Sequence, residues 1–201
     1  MHWKTMKDRK ECSIRKAMEL YATKGYQNVS ITDLQIALDI GRGTIYYYFK
    51  DQDELFLKCM EVYFIEPKQR ALNNVPEGAG IDQMIDSIEG YLHSLEEALL
   101  TFDNKAINTS NVNGLMFSAY SKFPALHRKA QRLALKELEL WRKAIYNDQR
   151  AELIRRDIDR EQVAMMFLHV KNTYDPGLGQ TQMDFSLLRK TYTELHNLLK
   201  K

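Results

Sequence analysis

Apolar positions recur along this chain at three- and four-residue steps, the spacing of one side of a helix. Ile14, Ala17, Met18 and Tyr21 mark the first stripe, from about Asp8 to Lys24, and Gly25 supplies its stop. A second, shorter helix opens at Ser30, an N-capping residue whose box partner is Asp33, and places Leu34 and Leu38 one turn apart. Three residues later Gly41-Arg42-Gly43-Thr44-Ile45-Tyr46-Tyr47-Tyr48-Phe49 sorts into two sides. Ile45 and Phe49 form a packing side, whereas Gly43, Thr44 and Tyr47 lie opposite, flanked by Arg42 and Tyr46. Three successive tyrosines are poor helix formers, so propensity does not choose this segment. Two short helices joined by Asp39-Ile40-Gly41 fit a helix-turn-helix.

The pattern continues helically. Leu55, Phe56, Cys59, Met60 and Tyr63 predict a connector from Gln52 to about Ile65, ended or kinked by Pro67, followed by a loop over Asn73 to Gly80. Met84, Ile85, Ile88, Leu92, Leu95 and Leu99 mark a long amphipathic helix from Ile81 to about Phe102. Residues 103 to 111 read as loop, Val112 to Lys122 as a short helix, and Ala125 to about Asn147 as a long one with a basic outer face. The last two helices, about Asp159 to Thr173 and Met183 to Lys200, are separated by the break Asp175-Pro176-Gly177-Leu178-Gly179. The expected fold is all-α, with about nine helices.

From Ile14 to Leu55 the chain resembles the amino-terminal DNA-binding domain of the TetR family of bacterial transcriptional repressors. The resemblance rests on Ala17, Gly25-Tyr26, Ser30, Asp33-Leu34, Ala37, Ile40, Gly43-Thr44-Ile45-Tyr46, Phe49 and Leu55. It implies a three-helix head over residues 1–50, and a helical body over 51–201 that binds a small-molecule effector and forms a homodimer. It also implies that Thr32 points toward the DNA groove. Three positions depart from the family pattern: Asp39 replaces a common turn glycine, Gly41 a capping serine and Gln35 a small alanine. Gln52 stands where many relatives carry a phosphate-contacting lysine; Lys50 is placed to take part of that role.

Each residue type in the candidate recognition helix suits duplex DNA. Gly43 lets the backbone approach closely, and the free N–H groups of the first turn favour a phosphate. Arg42 can donate two hydrogen bonds to guanine O6 and N7 in the major groove. Thr44, Tyr46 and Tyr47 can donate hydroxyls to phosphates, and Tyr46 can press its ring on a thymine methyl. Tyr48 lies nearer the packed side, where core support and phosphate contact both remain open. The expected interface is therefore Ser30, Thr32, Arg42, Gly43, Thr44, Tyr46, Tyr47, Tyr48, Lys50 and Gln52. Lys7, Arg9 and Lys10 form either a basic arm against DNA or a frayed terminus.

Composition adds bounds. The 201 residues are 44% apolar, enough for a core, and the net charge of +2 announces no nucleic-acid binder by itself. Residues 1–50 nevertheless carry nine Lys/Arg against five Asp/Glu, the sign a DNA-binding head needs. No apolar run reaches the roughly 20 residues of a membrane span, and Met1-His2-Trp3-Lys4 leads into charges, so a cytoplasmic protein is expected. Cys12 and Cys59 have no metal-like spacing with any histidine. Neither a Glu-x-x-His pair, a nucleophile elbow nor a P-loop occurs, and His93 and His169 stand alone, so neither an enzyme nor a cofactor is expected.

Within the body, Met84, Ile88, Phe117, Tyr120 and Trp141 are candidate effector-binding residues for an apolar or aromatic molecule, or plain core. Val163, Met166, Phe167, Val170, Phe185, Leu188, Tyr192 and Leu195 are candidates for the dimer interface that the resemblance implies; packing within one chain would use the same stripes. The alternative function is a helical interaction module or carrier that has lost DNA binding.

Overall fold

The computed structural model describes residues 6–105, 107–171 and 184–201. Ten α-helical segments occur there: α1 Met6–Lys24, α2 Ile31–Leu38, α3 Arg42–Tyr48, α4 Gln52–Met60, α5 Glu66–Asn73, α6 Ile81–Leu100, α7 Thr109–Lys122, α8 Pro124–Arg150, α9 Arg160–Val170 and α10 Phe185–Asn197. A 3₁₀ turn covers Tyr26–Asn28, and a π-helical turn, Glu61–Ile65, joins α4 to α5 without a break. Counting that run as one helix gives nine. Among the described residues no strand forms; Ile154 and Lys200 make an isolated antiparallel bridge. The expected break at residues 175–179 lies outside the described residues.

Local chemistry sets the helix ends. The Asp33 N–H donates to Ser30 Oγ at 3.1 Å while the Asp33 carboxylate accepts from the Ser30 N–H at 2.9 Å, a closed capping box. Asp39 ends α2 in the left-handed region, at φ 53°, ψ 47°, a role that usually falls to glycine. Asn108 and Asn111 form a second box, so α7 starts at Thr109, three residues before the expected Val112.

Pro67 does not end the connector, which was one of the two outcomes expected of it. The Glu66 N–H bonds to the Glu61 carbonyl, five residues back, so the backbone has widened immediately before the proline. An α-helix would push the Pro67 ring against the carbonyl of Tyr63 and waste that acceptor; the π turn relieves both costs, and the helix runs on to Asn73.

Two compact units form. The first comprises the chain up to Glu66 together with Glu96–His127, and the second Pro67–Leu95 with Arg128–Lys201. Compactness therefore divides the chain elsewhere than the functional cut expected at residue 50. In the first unit α1 packs on α2, α4 and α7, and Ala17, Met18, Leu34, Ile45, Leu55 and Phe56 are fully buried. Tyr26 ties three elements together: its hydroxyl donates to the Asp53 carboxylate and accepts from Lys122 Nζ at 2.7 Å, with that ammonium 4.0 Å from the ring centroid. Glu19 accepts the N–H groups of Asp103 and Asn104, at 3.1 and 2.6 Å.

In the second unit Trp141 stacks on Phe167, 4.7 Å between centroids, and on Tyr192, 5.7 Å. Against this stack lies a buried ionic cluster in which Glu137 meets both Lys68, at 2.8 Å, and Lys171. Burial alone would raise the Glu137 carboxyl, but the two ammonium groups outweigh it and hold the acid ionised. Burial lowers Lys171 to about 8 despite the carboxylate beside it. His196 is buried with Nδ1 2.9 Å from Asp82 and Nε2 3.7 Å from Asp148.

Candidate nucleic-acid interface

The head presents one side of α3 to solvent because the other is spent on packing. Ile45 and Phe49 are buried, which turns Arg42, Gly43, Tyr46 and Tyr47 outward. Tyr47 is 71% exposed. The Arg42 guanidinium rests 5.6 Å from the Tyr46 ring centroid. This stacking orients the fork while leaving its donors free for an acceptor.

The approach to this face is open. Gly41 caps α3 with extended backbone and no side-chain hydrogen bond, and a Cβ placed on Gly41 or Gly43 would meet nothing within 4 Å. Neither glycine is thus demanded by the fold. Ser30 and Thr32 are exposed at the start of α2, although the Ser30 hydroxyl is already engaged by its capping box. Lys24 Nζ, 2.6 Å from Asp33, and Ser30 together hold the Asp33 carboxyl well below the usual carboxylate range. The box is fixed electrostatically as well as by geometry.

Gln52 and Tyr48 also meet partners within the chain, whereas the Lys50 side chain stays exposed. The Gln52 side chain donates to the Val29 carbonyl at 2.7 Å, so its amide braces the loop before α2. Tyr48 is half-buried, with its ring 5.3 Å from that of Tyr47 and 6.3 Å from that of Phe49, so it supports its neighbours. Lys50 is exposed, and its backbone N–H closes onto Glu54 at 2.6 Å, beside the cap that Asp51 gives α4. Of the basic residues ahead of the domain, Lys10 lies 5.3 Å from the Phe49 ring centroid. Sequence reasoning missed the Tyr26–Asp53–Lys122 and Glu19 clamps, whose members are far apart in the chain and follow no periodic signal.

The body residues divide differently from expectation. Met84, Ile88 and Trp141 are buried in the second unit. Tyr120 belongs to the first, beside Met60, Phe64, Met116 and Leu126. Phe117 is 76% exposed on α7. Among the expected dimer residues, Phe167, Leu188 and Tyr192 are buried within the chain, as are Val163, Val170 and Leu195, and Phe185 stacks on His93 at 3.9 Å. They pack at home because α9 meets α10 along its apolar stripe. Met166 alone of the eight is largely exposed, and Leu187 on α10 and Leu198 at its C-terminal cap are exposed as well.

No helix among the described residues is long and apolar enough to cross a membrane. Among them, too, no group of His, Cys, Asp and Glu could hold a metal ion.

Comparison with known proteins agrees with this geometry. Residues 14–59 match the model of the bacterial regulatory proteins of the tetR family. The uncharacterized HTH-type transcriptional regulator YuxN of Bacillus subtilis (strain 168) is 30% identical over 73 residues, which span 36% of this chain and 25% of that protein. Among solved structures, a protein from Rhodococcus sp. assigned to the TetR-family transcriptional regulators superposes with a TM-score of 0.65 at 15% identity, covering 96% of this chain and 98% of its own. The TetR-family transcriptional regulator PfmR from Thermus thermophilus follows at 0.61 and 16% identity, covering 92% and 95%. At such identities the structures speak for the fold, while the head carries the sequence match: over residues 14–59 this chain is similar to the bacterial regulatory proteins of the tetR family.

Proposed function

We propose that this protein is a ligand-responsive repressor that binds a palindromic operator as a homodimer, with α3 of each head in the major groove. The single observation that carries the reading is the exposed Arg42–Tyr46–Tyr47 face of a helix whose opposite side is locked into the core. Arg42 reads a guanine edge; Tyr46, Tyr47 and Thr44 fix the register on phosphates and methyl groups. One seven-residue helix gives little affinity. Two heads about 34–36 Å apart would read successive major-groove faces, which favours a dimer. Met166, Leu187 and Leu198, exposed on the last two helices, supply the apolar face for it.

The effector is an apolar or aromatic small molecule received in the body. Support comes from the second unit, where Trp141 Nε1 and Tyr192 Oη are buried beside the stacked rings and, among the described residues, have no hydrogen-bond partner. Such orphaned donors are costly unless something engages them. Release follows if the effector binds the DNA-incompetent conformation more tightly than the competent one.

A gel shift on the DNA adjoining the protein's own gene tests the reading. Binding that weakens with salt and is weakened by Arg42→Ala and Tyr47→Ala supports it; a shift of unchanged affinity in both variants overturns it.

A further inference from the structure

One cavity is used neither by the DNA face nor by the aromatic core of the second unit. Within the first unit, α1, the end of α3 and the π turn enclose a groove of about 830 Å³, a size suited to a small organic ligand. Its floor is apolar, made by buried Ile14 and Tyr63 with half-buried Val62. The polar groups divide unequally around the rim. Lys58 is committed to Glu66 at 3.0 Å and to Glu61 at 3.5 Å, which cancels that side. Lys10 stands over Phe49 and, among the described residues, pairs with no carboxylate. Glu11 also lies at the rim and would repel a second negative charge on a ligand.

A second observation points to the same place. Val62 and Tyr63 belong to the π turn, and such insertions are frequent at functional sites. A molecule packed on these two side chains is sensitive to which register the backbone holds. Tyr48, on the opposite wall, is the last residue of the helix that carries Tyr46 and Tyr47.

We propose that this groove binds a small amphipathic monoanion, an aromatic or alkyl carboxylate or sulfonate, with its apolar body on Ile14, Val62 and Tyr63 and its charge at Lys10 and the Tyr48 hydroxyl. Occupancy holds the π register and the end of α3, so it alters DNA affinity. Only this last effect rests on the DNA-binding reading; the binding site does not.

Fluorescence titration of the full chain with 1-anilinonaphthalene-8-sulfonate, an aromatic monoanion, and with neutral N-phenyl-1-naphthylamine tests the site. Val62→Trp, which fills the groove, should weaken both dyes at least tenfold. Lys10→Gln, on an exposed position that leaves folding intact, should weaken the sulfonate about tenfold and the neutral dye less than twofold. Sulfonate binding unchanged in both variants would overturn the proposal, since the dye would then sit elsewhere. Gel shifts with and without the sulfonate test the coupling: a changed affinity supports it, and an unchanged affinity in protein that does bind DNA removes it. Absence of any DNA binding would defeat the regulator reading and leave the dye result standing.

Discussion

Gln52 donates its side-chain amide to the backbone carbonyl of Val29, and so joins the first turn of α4 to the loop that launches α2. A lysine at this position would exchange that brace for a mobile charge. Gln52→Lys should cost about 1 kcal/mol of stability through the lost hydrogen bond. It should also steepen the fall of log affinity with log salt by about 0.9 if the new ammonium reaches a phosphate. Thermal unfolding and fluorescence anisotropy over a salt series measure the two effects separately.

Arg42 and Tyr47 offer the opposite dissociation of stability from binding. Both side chains are exposed, so alanine at either should shift stability by no more than about 0.5 kcal/mol. Arg42→Ala should nonetheless weaken operator binding by about 1–3 kcal/mol and relax preference at one base pair. A competition assay against operators changed one pair at a time would show it. Equal losses on every sequence would instead mark Arg42 as a phosphate contact.

The capping box of α2 carries a pH signature. Lys24 and Ser30 hold the folded Asp33 carboxyl far below its ordinary range. The stabilisation is therefore complete above the unfolded value of about 4 and is lost as the pH falls toward the folded one. Asp33→Asn should flatten that part of the acid-unfolding curve. Ser30→Ala should cost about 1 kcal/mol at neutral pH. Circular dichroism across pH 2 to 6 distinguishes the two.

The Lys68–Glu137–Lys171 cluster predicts a non-additive mutant series. Glu137→Gln strands two ammonium groups in a largely buried site and should cost about 3 kcal/mol. Replacing all three residues by methionine should recover most of that loss, because no charge is left to desolvate. Burial gives Lys171 a folded value of about 8 against 10.5 for the free side chain. Its contribution to stability therefore rises with pH between those limits and falls away as the pH drops through 8. Lys171→Met should abolish the rise in urea-unfolding midpoints over that window.

The outer face of the last two helices predicts the assembly. Met166→Glu and Leu198→Glu together place charges where apolar side chains are exposed, which costs the monomer little. Sedimentation equilibrium should show the dissociation constant rising at least a hundredfold. The same experiment on Phe167→Ala should report unfolding instead, since that ring is buried in its own chain.

How far the sequence disclosed this molecule depends on the range of the interaction concerned. The Ser30 cap, the buried pair Ile45 and Phe49, and the outward tyrosines were legible because each depends on neighbours within a turn or two. Phe167, Leu188 and Tyr192 were legible as apolar, but a partner protomer and packing within the chain both fitted them; they are buried within the chain, because periodicity reveals that a face is covered without revealing by what. Phe117 followed the same stripe logic and emerged exposed. Pro67 misled for a different reason: a proline reads as a stop unless the backbone ahead of it changes its bonding, and no residue type announces that change.

That altered bonding makes chain length a local tolerance. Between Glu61 and Ile65 the helix carries one residue more than a uniform spiral would need, so deleting one there should let the ladder close in ordinary fashion at little loss. The same deletion between Leu55 and Met60 would rotate a fully occupied stripe by about 100° and expose it. Scanning single-residue deletions from Leu55 to Asn73 should therefore leave a narrow permissive window, centred on the stretch where the spiral has slack.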